Sequence, residues 1–312
     1  MIAFLKKNDP ILLFIAPVLM VFWVLMKTLA IVQNLNAFGA GDPFFSTWPF
    51  WLTSFGVLIG AVMFAFLLNR VVQNSILLGR ISNFPMLFVA ILLGVIPTEQ
   101  LSLTFFVLSI LQVPLLRWLL DLPEGQKLEE KTFNAGFVIG IMAIVNSWSL
   151  LLLWLPLQAM MSAGLLNFRR LAITFIGFIT PVYLINAFLY LFNNSLRFPS
   201  WSLNWSLDLL PLSLESISII GFALILIVFV FASLLQISTS STLREKRKWY
   251  LVVTYLFISW LIITQTGFAQ GLYSLFVPAV ILFSRVSLNT DKTRFLHIGL
   301  LVLLSLLVMF NL

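Results

Sequence analysis

Residues 171–192 read LAITFIGFITPVYLINAFLYLF, a run without a single charged side chain. About 20 apolar residues in a helix cross the hydrocarbon core of a bilayer, so this run predicts a transmembrane helix. Comparable apolar runs fill most of the remaining chain, at 11–33, 48–69, 84–97, 101–116, 132–146, 148–166, 216–237, 249–264, 268–284 and 295–311. Together they predict about eleven membrane-spanning helices, within a range of nine to eleven.

The composition excludes an ordinary soluble domain. Of the 312 residues 61% are hydrophobic and 9% are charged, whereas soluble domains carry about 25% charged residues. The chain has no cysteine and one histidine, which excludes disulfides, thiol catalysis and a multi-histidine metal site. The loops between the runs are short. The expected fold class is therefore an all-α integral membrane protein without a soluble domain, built as a single helical bundle over 1–312.

The distribution of basic residues predicts the orientation. Of 18 Lys and Arg residues, 16 fall on one side if the N-terminus is cytoplasmic: Lys6, Lys7, Arg70, Arg80, Arg117, Lys127, Lys131, Arg169, Arg170, Arg244, Lys246, Arg247, Lys248, Arg285, Lys292 and Arg294. This asymmetry follows the positive-inside rule and predicts a cytoplasmic N-terminus and an outer C-terminus. The net charge of +7 therefore reflects topology and the lipid bilayer, and no nucleic-acid partner is expected.

Two acidic residues stand in successive outer loops. Asp42 lies in the segment 39–45, and Glu99 follows Pro97 and Thr98. Two such carboxylates could converge on a divalent metal ion, with Asp42 as a ligand, or one could act as a general base. The alternative is that each carboxylate caps a helix or faces water, since Asp followed by Pro is a common helix start.

Two basic residues lie away from the cytoplasmic side. Lys27 lies inside the first span, where an unpaired ammonium costs about 2.5–3.5 kcal/mol and marks a functional candidate. It could also extend to the outer headgroups or pair with an outer acid. Arg197 is the one clear base of the outer face, suited either to binding a phosphate or to anchoring the chain at the interface.

Two Gly-xxx-Gly spacings predict close helix packing, at Gly56–Gly60 and at Gly136–Gly140. Small residues four apart allow a second helix backbone to approach, either within the bundle or in another copy or partner. No carboxylate lies in the middle of a span and no internal duplication is visible, which disfavours an ion-coupled carrier or a channel.

A longer segment resembles an uncharacterised family of bacterial polytopic inner-membrane proteins. The resemblance covers more than a third of the chain and rests on Leu68-Asn69-Arg70, Asn74, Asn83-Phe84-Pro85, Ile96-Pro97-Thr98-Glu99, Phe133-Asn134-Ala135-Gly136-Phe137, Gly140, Arg169-Arg170 and Pro181. It implies a multi-pass protein of the bacterial inner membrane, and that family supplies no activity.

More distantly, the order of features is similar to the GT-C class of membrane glycosyltransferases, which use polyprenyl-phosphate sugars. In that class an acid of the first outer loop acts as base or metal ligand, and a second acid often lies between spans three and four. Asp42 and Glu99 occupy those two places. The resemblance implies a GT-C-like core of about seven spans over 1–192, followed over 193–312 by an outer interfacial segment and about four further spans. The chain differs from the class in its short first outer loop and its lack of an Asp-x-Asp pair.

The resulting expectation is a GT-C-like protein that handles a lipid-linked sugar at the outer leaflet during cell-envelope glycoconjugate assembly. Asp42 is then base or metal ligand, Glu99 assists, and Arg197 or Lys27 meets the lipid phosphate. One alternative is a non-enzymatic scaffold subunit of a secretion, motility or envelope complex, favoured by the Gly-xxx-Gly faces and by the lack of stronger motifs. Another is a lipid or solute transporter.

Overall fold

The computed structural model of the chain describes residues 11–34, 50–75, 77–78, 82–96, 102–122, 127–193, 242–266 and 268–289. Within these residues every regular element is a helix and none is a strand. The all-α fold class predicted from the apolar runs is therefore confirmed for this part of the chain.

The described part of the chain contains nine α-helices and one 3-10 helix. In chain order they are α1 (Leu12–Asn34), α2 (Phe50–Asn74), α3 (Phe84–Val95), α4 (Leu103–Asp121), α5 (Leu128–Val145), a 3-10 helix (Ser147–Leu153), α6 (Trp154–Ala163), α7 (Phe168–Asn193), α8 (Leu243–Thr266) and α9 (Phe268–Asn289). Each predicted span that falls on described residues coincides with one of these helices, and the span at 148–166 corresponds to the 3-10 helix and α6 together. The spans predicted at 216–237 and 295–311 lie outside the described residues.

Five stretches of helix are long and apolar enough to cross a membrane, judged by length and composition: Trp51–Asn74, Leu103–Asp121, Phe168–Leu191, Leu243–Thr266 and Gly271–Leu288. Shorter apolar stretches occur at Leu12–Lys27, Phe84–Gly94 and Ser147–Ala163. The described helices thus support a membrane protein with several spans.

The chain divides into two compact units. The first comprises Met1–Ile110, Leu209–Ser240 and Leu275–Leu312, and the second comprises Leu111–Asp208 and Ser241–Ser274. Among described residues, the first unit therefore contains α1 to α3, the start of α4 and most of α9. The second contains the rest of α4, α5 to α8, and the first residues of α9.

The first unit is built around α3 and α9. Helix α3 packs against α1 and α2. The ring of Phe88 on α3 stacks on Phe283 of α9 with centroids 5.8 Å apart, and Phe64 of α2 lies 5.3 Å from Phe276 of α9. Aromatic pairs at these separations stabilise the packing beyond the area that they bury.

The second unit combines a close pair of helices with a looser group. Helices α5 and α7 pack along their length, while α8 packs against α6 and the 3-10 helix. A buried ring–hydroxyl contact joins this group to the start of α9, where Tyr273 lies 2.6 Å from the hydroxyl of Ser149.

Large apolar side chains remain exposed on the outward faces of several helices. They include Phe14 and Phe22 on α1, Trp51 on α2, and Tyr183 and Phe188 on α7. Apolar surface of this extent is rare on a soluble monomer. Lipid tails solvate such side chains without cost, because they are as apolar as the protein interior.

Several helices extend past the predicted apolar runs. Local contacts explain two of the differences. Helix α4 continues beyond the predicted end at 116 to Asp121, because Leu119 and Leu120, which follow the exposed Arg117, are buried. The span at 148–166 begins as a 3-10 helix, with the Asn146 side chain accepting from the backbone N–H of Trp148 at 3.0 Å. Pro156 lacks the N–H that an α-helical bond to Leu152 would need, which favours the tighter winding before it.

Candidate functional site

Helix α1 carries a lysine on its buried face. That face is formed by residues at helical spacing: Leu12, Ala16, Met20, Val24 and Lys27. Lys27 is 3% exposed. An ammonium group in such surroundings is costly unless polar groups compensate it, so its partners decide what the site can do.

The described partner of Lys27 is the end of α3. Its Nζ donates a hydrogen bond to the backbone carbonyl oxygen of Ile96, the residue that directly follows the helix. The N–H of Ile96 donates back to the carbonyl of Leu92 at 3.1 Å. The last carbonyls of a helix lack intrahelical partners and carry partial negative charge, so the ammonium is placed where the helix dipole favours a cation.

A full negative charge is not among the described neighbours of Lys27. The ion pairs of the described residues join Arg117 to Asp121, Lys127 to Glu130 and Arg169 to Glu129, all in the second unit. A neutral carbonyl takes one of the three ammonium protons. Among the described residues the ammonium of Lys27 thus has one neutral carbonyl partner, which leaves it two further protons to donate.

Helix α3, whose C-terminal end contacts Lys27, is unusually short and deeply buried. It has 12 residues, about 18 Å of helix, against a hydrocarbon core of about 30 Å. Nearly all of its described side chains are buried. A short buried helix places its two polar ends inside the protein, where side chains must satisfy them.

A network of amides holds the other end of α3. The side chain of Asn69 donates to Oδ1 of Asn83 at 2.8 Å, and Gln73 donates to the same oxygen at 2.9 Å. Gln73 also lies 3.2 Å from the carbonyl oxygen of Ser82, whose hydroxyl accepts from the N–H of Phe84 at 3.2 Å. These bonds fix the connection between α2 and the start of α3.

The same end of the first unit holds a buried arginine. Arg285, near the end of α9, donates from Nη1 to the carbonyl of Leu77 at 3.1 Å. Leu77 belongs to the turn that follows α2, so the guanidinium joins that turn to α9. Lys27 and Arg285 therefore lie at opposite ends of α3.

The second unit contains fully buried polar pairs between helices. The hydroxyl of Tyr255 on α8 donates to Oε1 of Gln112 on α4, and the Ser259 hydroxyl lies 2.8 Å from the carbonyl oxygen of Ser274. Pro278 cannot donate to that carbonyl, which leaves the Ser259 hydroxyl as the donor within reach. The same hydroxyl lies 2.8 Å from the carbonyl oxygen of Tyr255, one turn earlier in α8, so the two carbonyls share its single proton. Nε2 of Gln112 has no hydrogen-bond partner among the described residues.

Both Gly-xxx-Gly spacings lie at helix contacts inside a unit. A Cβ on Gly136 would overlap the carbonyl oxygen of Thr174, and one on Gly140 would overlap that of Phe178. Gly177 on α7 meets a carbonyl of α5 in the same way. Backbone contact between α5 and α7 therefore depends on these glycines.

The contact of α2 with α4 at Gly56 and Gly60 is looser than the contact of α5 with α7. A Cβ on Gly56 would lie 3.1 Å from the side chain of Leu103, and one on Gly60 would lie 2.9 Å from Cβ of Phe106. Here the neighbours are side chains of α4, of which the leucine tip can move.

Three predicted site residues lie outside the described residues, namely Asp42, Glu99 and Arg197. Within the described residues no group of three or more His, Cys, Asp or Glu side chains could hold a metal ion.

Sequence reasoning did not find the partners that the structure supplies. The carbonyl of Ile96 carries no sequence signal, since any residue has one. Asn69 and Gln73 are one turn apart on a mostly apolar helix, and that spacing could have indicated a shared polar face. Gln112 and Tyr255 lie in apolar runs with other scattered polar residues, and nothing in the sequence pairs them.

Comparison with protein-family models, with curated proteins and with solved structures finds no match for this chain. The resemblance to GT-C glycosyltransferases and to the bacterial inner-membrane family therefore stays a prediction from the residues quoted above.

Proposed function

We propose that the protein binds a phosphate-bearing, lipid-linked sugar at the outer leaflet of a bacterial inner membrane and acts in cell-envelope glycoconjugate assembly, in the manner of GT-C glycosyltransferases. The proposal includes about eleven spans with a cytoplasmic N-terminus. The observation that carries it is the buried ammonium of Lys27, which has a neutral carbonyl as its described partner. A lipid phosphate would supply the negative charge that this site lacks.

The two outer acids are close in the chain either to Lys27 or to its partner Ile96. Asp42 follows Lys27 by 15 residues. Glu99 follows Ile96 by three residues, and three residues of chain span at most about 11 Å. The loop with Asp42 connects the end of α1 that carries Lys27 to α2. In the proposed site the ammonium of Lys27 donates hydrogen bonds to the phosphate, Asp42 acts as base or metal ligand, and Glu99 assists. Arg197 stays the alternative phosphate-binding residue.

The acids are tested in cells. Asp42→Asn and Glu99→Gln should each change the glycolipid or glycoprotein profile of the host, because both substitutions remove a carboxylate without changing side-chain size. Glu130→Gln is the matched control, since Glu130 is an exposed acid of the second unit that pairs with Lys127. Intact profiles for both loop variants, at normal protein levels, would contradict a glycosyltransferase.

A transporter of an anionic lipid or solute is the second candidate. It is favoured by the short buried helix α3, since helices shorter than the bilayer mark binding sites in many transporters. Purified protein in liposomes separates the two candidates: a transporter moves the lipid-linked substrate across the bilayer without changing it, whereas a glycosyltransferase consumes it.

The scaffold alternative loses part of its support. One of its two sequence arguments was that the Gly-xxx-Gly faces could bind a partner. Both faces contact other helices of the same unit.

A further inference from the structure

Several basic side chains gather at one end of the second unit. Nη2 of Arg169, at the start of α7, lies 3.1 Å from Glu129 at the start of α5. Nζ of Lys131 donates to the carbonyl of Asp121, at the end of α4, at 2.9 Å. The end of α4 and the starts of α5 and α7 therefore lie together.

The start of α8 lies at the same end. Ser149 contacts Tyr273 of α9, and the next residue of α9, Ser274, contacts Ser259 of α8. Ser149 therefore lies close to the level of Ser259 along α8. Further along, Gln158 of α6 donates to Oγ1 of Thr254 at 2.6 Å. From Ser149 to Gln158, the level of contact along α8 shifts from Ser259 to Thr254, toward the start of α8. The two segments are therefore antiparallel. The end of α6 and the start of α8 consequently share one end of the unit.

Two arginines come to a similar level at this end. Arg247 lies seven residues before Thr254, on the same face of α8 and about 10 Å nearer the start of that helix. Leu165 lies just beyond the end of α6, where its N–H donates to the carbonyl of Met160 at 2.9 Å, and so lies toward the same end. The Leu165 carbonyl accepts a hydrogen bond from Nη1 of Arg170, which brings Arg170 near the level of Arg247.

Exposed apolar side chains lie within four residues of each arginine in the chain. Leu166 is 47% exposed, Phe168 is 84% exposed and Leu243 is 76% exposed. The acid nearest in sequence to Arg247 is Glu245, which is occupied in a capping box: its N–H lies 3.4 Å from Oγ1 of Thr242, and its carboxylate 3.3 Å from the Thr242 N–H. Cationic groups next to exposed apolar groups at helix ends are suited to the headgroup and upper acyl region of a bilayer.

We infer that Arg170 and Arg247 form a binding site for the phosphate of an anionic phospholipid, whose acyl chains lie against Leu166, Phe168 and Leu243. A guanidinium binds phosphate through two parallel hydrogen bonds, and basic groups at the cytoplasmic surface attract anionic lipid. The positive-inside orientation places this end in the cytoplasmic leaflet. The site is distinct in leaflet and ligand from the outer-leaflet site proposed around Lys27.

The test measures lipid binding to the full-length protein in detergent by native mass spectrometry, with phosphatidylglycerol and phosphatidylcholine as probes. We expect the wild type to retain phosphatidylglycerol selectively. Arg247→Gln should weaken this binding about fivefold, and the Arg170→Gln/Arg247→Gln pair about thirtyfold. Arg247→Gln alone leaves the bond between Arg170 and Leu165 intact, so it remains informative if the pair fails to fold.

Arg117→Gln/Lys127→Gln is the matched control. It removes two exposed basic groups from the same end of the unit and should leave phosphatidylglycerol binding nearly unchanged. Equal losses in the two double variants would show general electrostatic attraction and overturn the site. Equal retention of phosphatidylcholine, or thermal stabilisation by inorganic phosphate as large as that by phosphatidylglycerol, would also overturn it.

Discussion

The ammonium of Lys27 donates to the carbonyl oxygen of Ile96, 69 residues later in the chain. This bond joins the buried face of α1 to the end of the short helix α3. The partial negative charge of a helix end stabilises a cation only in part, typically by 0.3–1 kcal/mol and up to about 2 kcal/mol when partly buried. In the proposed site an anionic ligand would supply the remaining compensation of this charge.

Replacement of Lys27 by methionine should leave the free energy of unfolding unchanged or raise it by about 1–4 kcal/mol, because a residue of similar volume removes a buried charge. Thermal unfolding in detergent, without added lipid, checks this prediction. Lys27→Arg, which keeps the charge in a larger group, is the comparison and should be less stable than Lys27→Met. A loss of several kcal/mol in Lys27→Met would instead indicate that the lysine serves folding.

Alanine at Gly136 or Gly140 should destabilise the protein by about 2 kcal/mol or more, because the new methyl group would overlap backbone carbonyls of α7 that cannot rotate away. Unfolding in a denaturing detergent checks this. Gly56→Ala is the control and should cost less than about 1 kcal/mol, since its neighbour is the flexible tip of Leu103. Similar losses at all three positions would contradict the predicted difference between backbone and side-chain contact.

The hydrogen bond between Tyr255 and Gln112 should appear as a coupling energy. Tyr255→Phe and Gln112→Leu should each lower the free energy of unfolding by about 1 kcal/mol, since each leaves a buried polar group unpaired. The double variant replaces both groups by apolar ones and should lose less than the sum. A double-mutant cycle measures the difference, and strictly additive losses would show that the two groups do not interact.

The Ser259 hydroxyl should contribute to the stability of the protein because Pro278 has no N–H for the carbonyl of Ser274. Ser259→Ala should destabilise the protein by about 1 kcal/mol, since the carbonyl of Ser274 then loses its donor. In a Pro278→Ala background residue 278 regains an N–H that can bond this carbonyl, so Ser259→Ala should cost clearly less there. The comparison of the two unfolding curves tests it, and an equal cost in both backgrounds would assign the effect to packing alone.

The helices themselves could be predicted from the sequence because long apolar runs have few alternatives in a membrane. The ends of the helices were less predictable where buried side chains such as Leu119 and Leu120 continue a helix past an exposed charge. The short span at α3 was visible as a short run. Its burial was not, because the sequence of α3 is equally apolar on all sides and does not distinguish lipid from protein contact.

Site residues were predictable only where a residue contrasts with its surroundings. Lys27 stands out as a charge in an apolar run, and Gly136 and Gly140 stand out by their spacing. Their partners could not be predicted, because a backbone carbonyl such as that of Ile96 has no identity in the sequence. The acids Asp42 and Glu99 stay predictions, as they lie outside the described residues.

The most direct test of the central claim is the affinity of the purified protein, in lipid nanodiscs, for a polyprenyl phosphate. Wild type is compared with Lys27→Met and Lys27→Arg at equal ionic strength. We expect the wild type to bind, Lys27→Met to lose at least tenfold in affinity while remaining folded, and Lys27→Arg to retain part of it, because the ammonium supplies the charge that meets the phosphate. Equal affinity of a folded Lys27→Met variant and the wild type would contradict the assignment of Lys27 as the phosphate-binding residue and, with it, the proposed site.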